Sequence, residues 1–297
     1  MKYLLIVISF FLLSLPTIYG KVKVCTTTSL IQNLAQEIGG GFIEVENLMG
    51  PGVDPHLYKA TASDIKKLRS ADIIFYNGLH LEGRMVDVFE SLAEQGKAVF
   101  AVTDGIDRSS LLTLGGNAGY DPHVWFDPDL WSQCAQKIFI ELKKFDSQNA
   151  MHYQKQTDSY KASLKNLYRW AKELADTLPA PSKILITSHD AYNYFGSAFG
   201  FQVIGVQGIS TVSEAGLADI ISTIDYIKKH KIKAIFIESS VSPAAIERIA
   251  QDSGAKIGGK LFSDSLGKKG EILDEYDVGN YLGMFKYNMT TIVKNLK

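Results

Sequence analysis

From Asp129 to Leu178 the chain contains neither glycine nor proline, the longest uninterrupted stretch in the sequence. Chain with neither residue, rich in Leu, Ala, Lys and Gln, has nothing to stop a helix. Asp146 and Ser147, both good N-cap residues, divide it in two and predict a second helix over 148–178. Along it Tyr153, Thr157, Tyr160, Leu164, Leu167, Ala171, Leu174 and Leu178 recur at spacings of 3 and 4, one apolar stripe about 45 Å long at 1.5 Å per residue. The stripe mixes aromatic and polar positions and has no a/d seam, which argues against a coiled coil. A helix of that length can cross from one body to another, and as a stiff strut it allows only modest opening between them.

On both sides of the strut, short β-branched runs alternate with helical patterns. Strands are expected over 22–26, 43–48, 72–76 and 98–102, with helices over 29–39, 61–69 and 82–94 between them. The first helix is expected to open with a capping box from Ser29 to Gln32. After Pro179-Ala-Pro181 come strands over 184–187, 203–206, 234–238 and 256–257. Helices are expected over 191–199, 213–229 and 242–252, the last opening on Ser242-Pro243, and a final helix over 278–296 closes the chain. Alternation of this kind implies an α/β fold with parallel sheets whose ligand sites lie beyond the carboxyl ends of the strands. The expected division is a leader over 1–20, a first lobe over 21–145, a linking helix over 146–179 and a second lobe over 180–297.

The length of 297 residues and a 46% hydrophobic content suit two packed lobes. A net charge of −1 leaves no cation excess to neutralise a phosphate backbone, so nucleic acid is excluded as a partner class. Residues 1–20 carry Lys2, an apolar run from Leu4 to Leu15, then Pro16 and Gly20: a secretory leader cut near Gly20, giving an exported, periplasm-like address. The residues before Cys25, Val22-Lys23-Val24, are not the small-residue context of a lipidated cysteine, so no lipid anchor is expected. Cys25 falls on a strand and Cys134 on a helix. Either a bridge or two separate buried thiols is compatible with that, the latter being simpler.

The chemistry lies in the histidines. Two of six sit in one repeated frame, Asp54-Pro55-His56-Leu57-Tyr58 and Asp121-Pro122-His123-Val124-Trp125, where proline fixes each imidazole on a turn. His189 follows the strand over 184–187 directly, at the end where ligand sites form. Of the second lobe's carboxylates, Asp264 in a turn-rich loop or Glu238 at a strand end would complete four donors, two from each lobe. Such a site is closed, and suits holding a metal rather than reacting on one. His80 follows a strand and is a candidate supporting residue beside the site. His152 and His230 are expected to be solvated.

The segments PGVDPHLYKATASD, DPHVWFDP, SHDAYNYF, GISTVSEAG, ESSVSP and SDSLGKKG together resemble the metal-binding solute receptors of ABC transporters, the TroA, ZnuA and PsaA-like family, from about Val22 to the C-terminus. The resemblance implies two (βα)4 lobes joined by one long rigid helix, with a single divalent ion between them. It places the ligands on His56, His123, His189 and Asp264, and Glu238 beside them as the residue orienting an imidazole. In that family the third ligand is commonly Glu in manganese receptors and His in zinc and TroA-like receptors. Zinc receptors often carry a His-rich loop before the second ligand, whereas residues 111–120 here contain no histidine. The set His3Asp resembles the TroA type. The implied cargo is Zn2+ or Mn2+, with Fe2+ as a third option, and zinc outcompetes manganese in vitro on the Irving–Williams order. The implied partners are a membrane permease and its ATPase, since this chain has no phosphate-binding G-x-x-x-x-G-K-[ST] loop of its own, and a monomer is expected. A metallohydrolase would use the same histidines but needs an open coordination position and a base such as Glu238 or Asp190. A siderophore or cobalamin receptor would need an open aromatic and basic cleft instead.

Overall fold

The computed structural model describes residues 20–115 and 119–297; apart from Gly20, the expected leader lies outside them. Among the described residues no helix is long and apolar enough to cross a membrane. The first lobe is built on a parallel sheet of order β2-β1-β3-β4, with β1 Val22–Thr26, β2 Ile43–Asn47, β3 Ile73–Tyr76 and β4 Ala98–Ala101. Its helices are α1 Ser29–Gly39, α2 Ala62–Ser70, α3 Val86–Glu94 and α4 Pro128–Phe145. The period of two along a strand sends Val24, Ile73 and Phe75 to one face and Cys25 and Ile74 to the other. Helices cover both faces, as the near-continuous apolar strands require. Cys25 and Cys134 accordingly lie in different apolar clusters on opposite faces of this sheet, and both thiols are free and buried.

The second lobe repeats the plan. Strands β5 Ile184–His189 and β6 Gln202–Gln207 pair in parallel, β7 Ala234–Glu238 and β8 Lys256–Leu261 pair in parallel, and β5 packs beside β7. Helices α6 Asn193–Phe199, α7 Leu217–His230 and α8 Ala244–Ser253 follow the strands, and α9 Tyr281–Leu296 closes the chain. A short hairpin of β9 Ile272–Leu273 and β10 Tyr276–Asp277 precedes α9.

Between the lobes runs α5 Ala150–Ala175, entered through a 3-10 turn at Ser147–Asn149. Its 26 residues span about 39 Å at 1.5 Å per residue. One end packs on α1 and α4, the other on α6 and α9. The expected stripe is buried, except that Ala175 turns inward where Leu174 is only half-buried. Leu164, Trp131, Phe195 and Phe285 belong to one apolar core that passes from lobe to lobe through α5. The lobes therefore share packing as well as a covalent link.

Of the boundaries that differ from the sequence reading, three have a clear physical reason. Helix α1 is capped by Thr28, whose hydroxyl accepts from the Ile31 N–H, because the Ser29 hydroxyl is turned to the second lobe and accepts from the Leu266 N–H at 2.9 Å. Strand β8 runs on through Gly258 and Gly259 to Leu261. A Cβ at Gly258 would meet the Phe236 ring at 2.8 Å, and Gly259 has φ +149, so the glycines admit close packing rather than end the strand. Helix α7 starts at Leu217, capped where the Gly216 N–H donates to the Asp219 carboxylate at 3.1 Å, four residues later than expected.

Candidate metal centre

Both Asp-Pro-His frames fold alike. In each, the aspartate accepts from the backbone N–H of its own histidine, at 2.8 Å for Asp54 with His56 and 2.9 Å for Asp121 with His123. These Asx turns fix the direction in which each imidazole leaves the backbone. His189 is the last residue of β5, and its N–H donates to Glu238, the last residue of the adjacent β7, at 2.8 Å. Asp264 sits just beyond β8. Strand ends of the second lobe thus face the two turns of the first.

The four side chains meet. One donor atom from each of His56, His123, His189 and Asp264 lies within 4.8 Å of all the others, and no second group of three or more His, Cys, Asp or Glu side chains converges so among the described residues. His56 is 4% exposed, and the other three are 0%. The Nε2 atoms of His56 and His123 are 3.3 Å apart; the Asp264 carboxylate lies 3.6 Å from His123 Nε2 and 3.4 Å from His189 Nε2. Buried polar atoms are nearly always hydrogen-bonded. Here His189 Nε2 and Asp264 Oδ1 have no hydrogen-bond partner, and both point into the same space.

The far side of two rings is well satisfied. His123 Nδ1 faces Asp121 Oδ1 at 2.7 Å, and His189 Nδ1 faces Glu238 Oε2 at 2.6 Å. Each carboxylate holds a proton on Nδ1, so the position a metal ion would take on either ring is the inward-facing Nε2. Burial pushes the His56 pKa down to about 3, so this ring is a neutral donor across the physiological range. Burial opposes charge on His189 as well, but the Glu238 and Asp264 carboxylates outweigh it and lift its pKa well above the ordinary value. Burial would raise Asp264, yet His189 and the other two imidazoles hold its carboxyl far below the usual range.

Glu238, expected beside the site, spends both oxygens on His189. His80 is not brought there: it is exposed, with φ +62, beside Gly78 and Leu79, which are also at positive φ. His230 is exposed and stacks on Tyr226. His152, expected in solvent, instead packs on Phe42 with ring centroids 4.5 Å apart, its Nε2 buried without a partner. Sequence reasoning named the Asp-Pro-His frames but not what their aspartates do: Asp121 orients an imidazole, and Asp54 accepts from the Thr211 hydroxyl of the second lobe. It also missed Trp125, whose indole N–H donates to the Ser263 carbonyl beside Asp264 at 2.9 Å, and Ser240, whose hydroxyl lies 3.4 Å from the Asp264 carboxylate.

Known proteins share this arrangement of chain. Residues 24–295 match the ZnuA family, "Zinc-uptake complex component A periplasmic". The manganese-binding lipoprotein MntA of Bacillus subtilis is 42% identical over 282 residues, 93% of this chain and 90% of that protein. The manganese ABC transporter substrate-binding lipoprotein PsaA of Streptococcus pneumoniae is 31% identical over 281 residues, 93% of this chain and 89% of its own. The solved structure of the periplasmic zinc-binding protein TroA from Treponema pallidum superimposes with a TM-score of 0.89 at 40% identity, covering 93% of this chain and 99% of that one. Two of these relatives are named lipoproteins, so the expected absence of a lipid anchor is not borne out; Cys25 itself is fully buried on β1. With the family match spanning nearly all of the chain beyond its first residues, the protein belongs to the ZnuA family of periplasmic metal-uptake components.

Proposed function

We propose that His56, His123, His189 and Asp264 are the four ligands of one divalent transition-metal ion, which the protein captures outside the cytoplasm as the substrate-binding component of an ABC importer. The observation that carries this reading is the set of four buried donors drawn from both lobes, two of whose atoms have no other partner. A cation among three neutral imidazoles and one carboxylate would satisfy every one of them. Membership of the family makes the protein a receptor and not an enzyme, and no observation favours a hydrolase. Glu238 is engaged on His189 with both oxygens and is not free to act as a base.

The cargo is manganese or zinc. Relatives of nearly equal identity are named for each metal, MntA for manganese and TroA for zinc. Imidazoles suit zinc, and the carboxylate adds the harder oxygen that manganese accepts. The bound ion would pass to a membrane permease driven by an ATPase. We read the protein as a monomer, with lobes over 21–145 and 180–297 and the linking helix between them. Metal analysis of protein taken from its native compartment, under limiting zinc and limiting manganese, tests the assignment. One ion per chain is expected, lost in Asp264→Ala; two ions per chain, or full loading of Asp264→Ala, would overturn it.

A further inference from the structure

Both Asp-Pro-His aspartates reach the second lobe through Oδ2, Asp121 accepting from the Asn193 side-chain N–H at 3.1 Å and Asp54 from the Thr211 hydroxyl, but their Oδ1 atoms do different work. Asp121 gives Oδ1 to both the N–H and the Nδ1 of His123, so its ring is held from within its own lobe. Asp54 gives Oδ1 to the His56 N–H alone, and its Oδ2 accepts from the hydroxyl of Thr211, 157 residues away in the second lobe. Among the described residues the His56 ring has no such carboxylate behind it; its one polar contact is with the His123 ring. The same loop is tied across a second time, where the Gly52 N–H donates to the Ser265 hydroxyl at 2.9 Å. His56 is therefore the imidazole with no carboxylate behind its ring, placed by its turn alone, and that turn is tied to the second lobe through Asp54 and Gly52.

From this geometry we propose that the Asp54–Thr211 hydrogen bond is a cross-lobe latch that positions His56 and sets how fast the metal leaves. The proposal rests on the reading of His56 as a ligand. Thr211 belongs to the segment of residues 208–216 between β6 and α7. It is itself buried, while its neighbour Val212 is 57% exposed, so the latch lies one residue beneath the surface. An oxygen of Asp54 that loses Thr211 stays beside the cleft and no longer ties the His56 turn to the second lobe. Release then begins with His56, the ligand least held by its own lobe, while His123 and His189 remain aimed by Asp121 and Glu238.

The test is the rate at which zinc passes to an excess of a chromophoric chelator, followed by stopped flow for the wild type, Thr211→Val, Thr211→Ser and His56→Ala. Thr211→Val removes a hydroxyl bonded to a charged oxygen at nearly constant volume and is expected to release zinc about tenfold faster. Thr211→Ser keeps the hydroxyl and should restore the slow rate. Release from Thr211→Val at the wild-type rate would overturn the latch, as would a Thr211→Ser variant equally fast. His56→Ala separates the two readings: if it holds zinc as tightly as the wild type, the ligand assignment has failed, whereas weak binding there with an unaltered Thr211→Val rate removes the latch alone.

Discussion

At the scale of single residues, protons and metal compete for the same lone pairs. Glu238 and Asp264 outweigh the cost of burying His189 and favour its protonated form, with which a metal ion must compete. His56, with its pKa near 3, has none to give. Binding near neutrality should therefore release about one proton from His189, and the apparent Kd should rise about tenfold for each pH unit lowered. Calorimetric titrations in buffers of differing ionisation enthalpy count that proton; a Kd unchanged between pH 8 and 6 would show that His189 is not displaced from its proton by metal. Glu238→Gln and Asp121→Asn keep the shape of the partner and remove its charge, and each should weaken metal binding by about 10- to 100-fold. Wild-type affinity in both would mean that the rings are aimed by packing alone.

At the scale of elements, the strut and the Asp264 loop carry the load. Leu164 is 1% exposed at the middle of α5, in the core shared by both lobes. Leu164→Ala should cost about 2–5 kcal/mol, and denaturant unfolding should remain one transition since the core is continuous. Two separate transitions would show lobes that fold independently. The loop after β8 is pinned to the first lobe by Ser29, Gly52 and Trp125, through Leu266, Ser265 and Ser263. Much of this architecture was legible beforehand: β1 and β7 fall where their β-branched runs put them, and the apolar stripe of α5 appears in the spacing of Tyr153 through Ala171. The rest depends on long-range partners that local pattern does not record. Ser29 looks like part of a helix cap until Leu266 claims its hydroxyl, Gly258 looks like a strand end until Phe236 packs over it, and Asp54 and Asp121 are identical in motif but only Asp121 backs an imidazole ring.

At the scale of the whole molecule, the ion joins two lobes that already share a core, so it should stabilise strongly and move little. Ligand at about 1,000 times its Kd adds roughly 4 kcal/mol by mass action, enough to raise the melting temperature by several degrees. An unchanged melting temperature with both Zn2+ and Mn2+ would remove the receptor reading. Distances between labels placed on α2 and α8 should change by only a few ångströms on metal binding, since α5 bridges the lobes without a glycine or proline to bend at; a change of tens of ångströms would mean that the strut breaks. The central claim is the ligand set, and X-ray absorption spectroscopy of the zinc-loaded protein reads it most directly. Three imidazole nitrogens and one carboxylate oxygen at about 2.0–2.2 Å are expected, falling to two imidazoles in His189→Ala; a sulfur neighbour, or an imidazole count untouched by His189→Ala, would contradict the assignment.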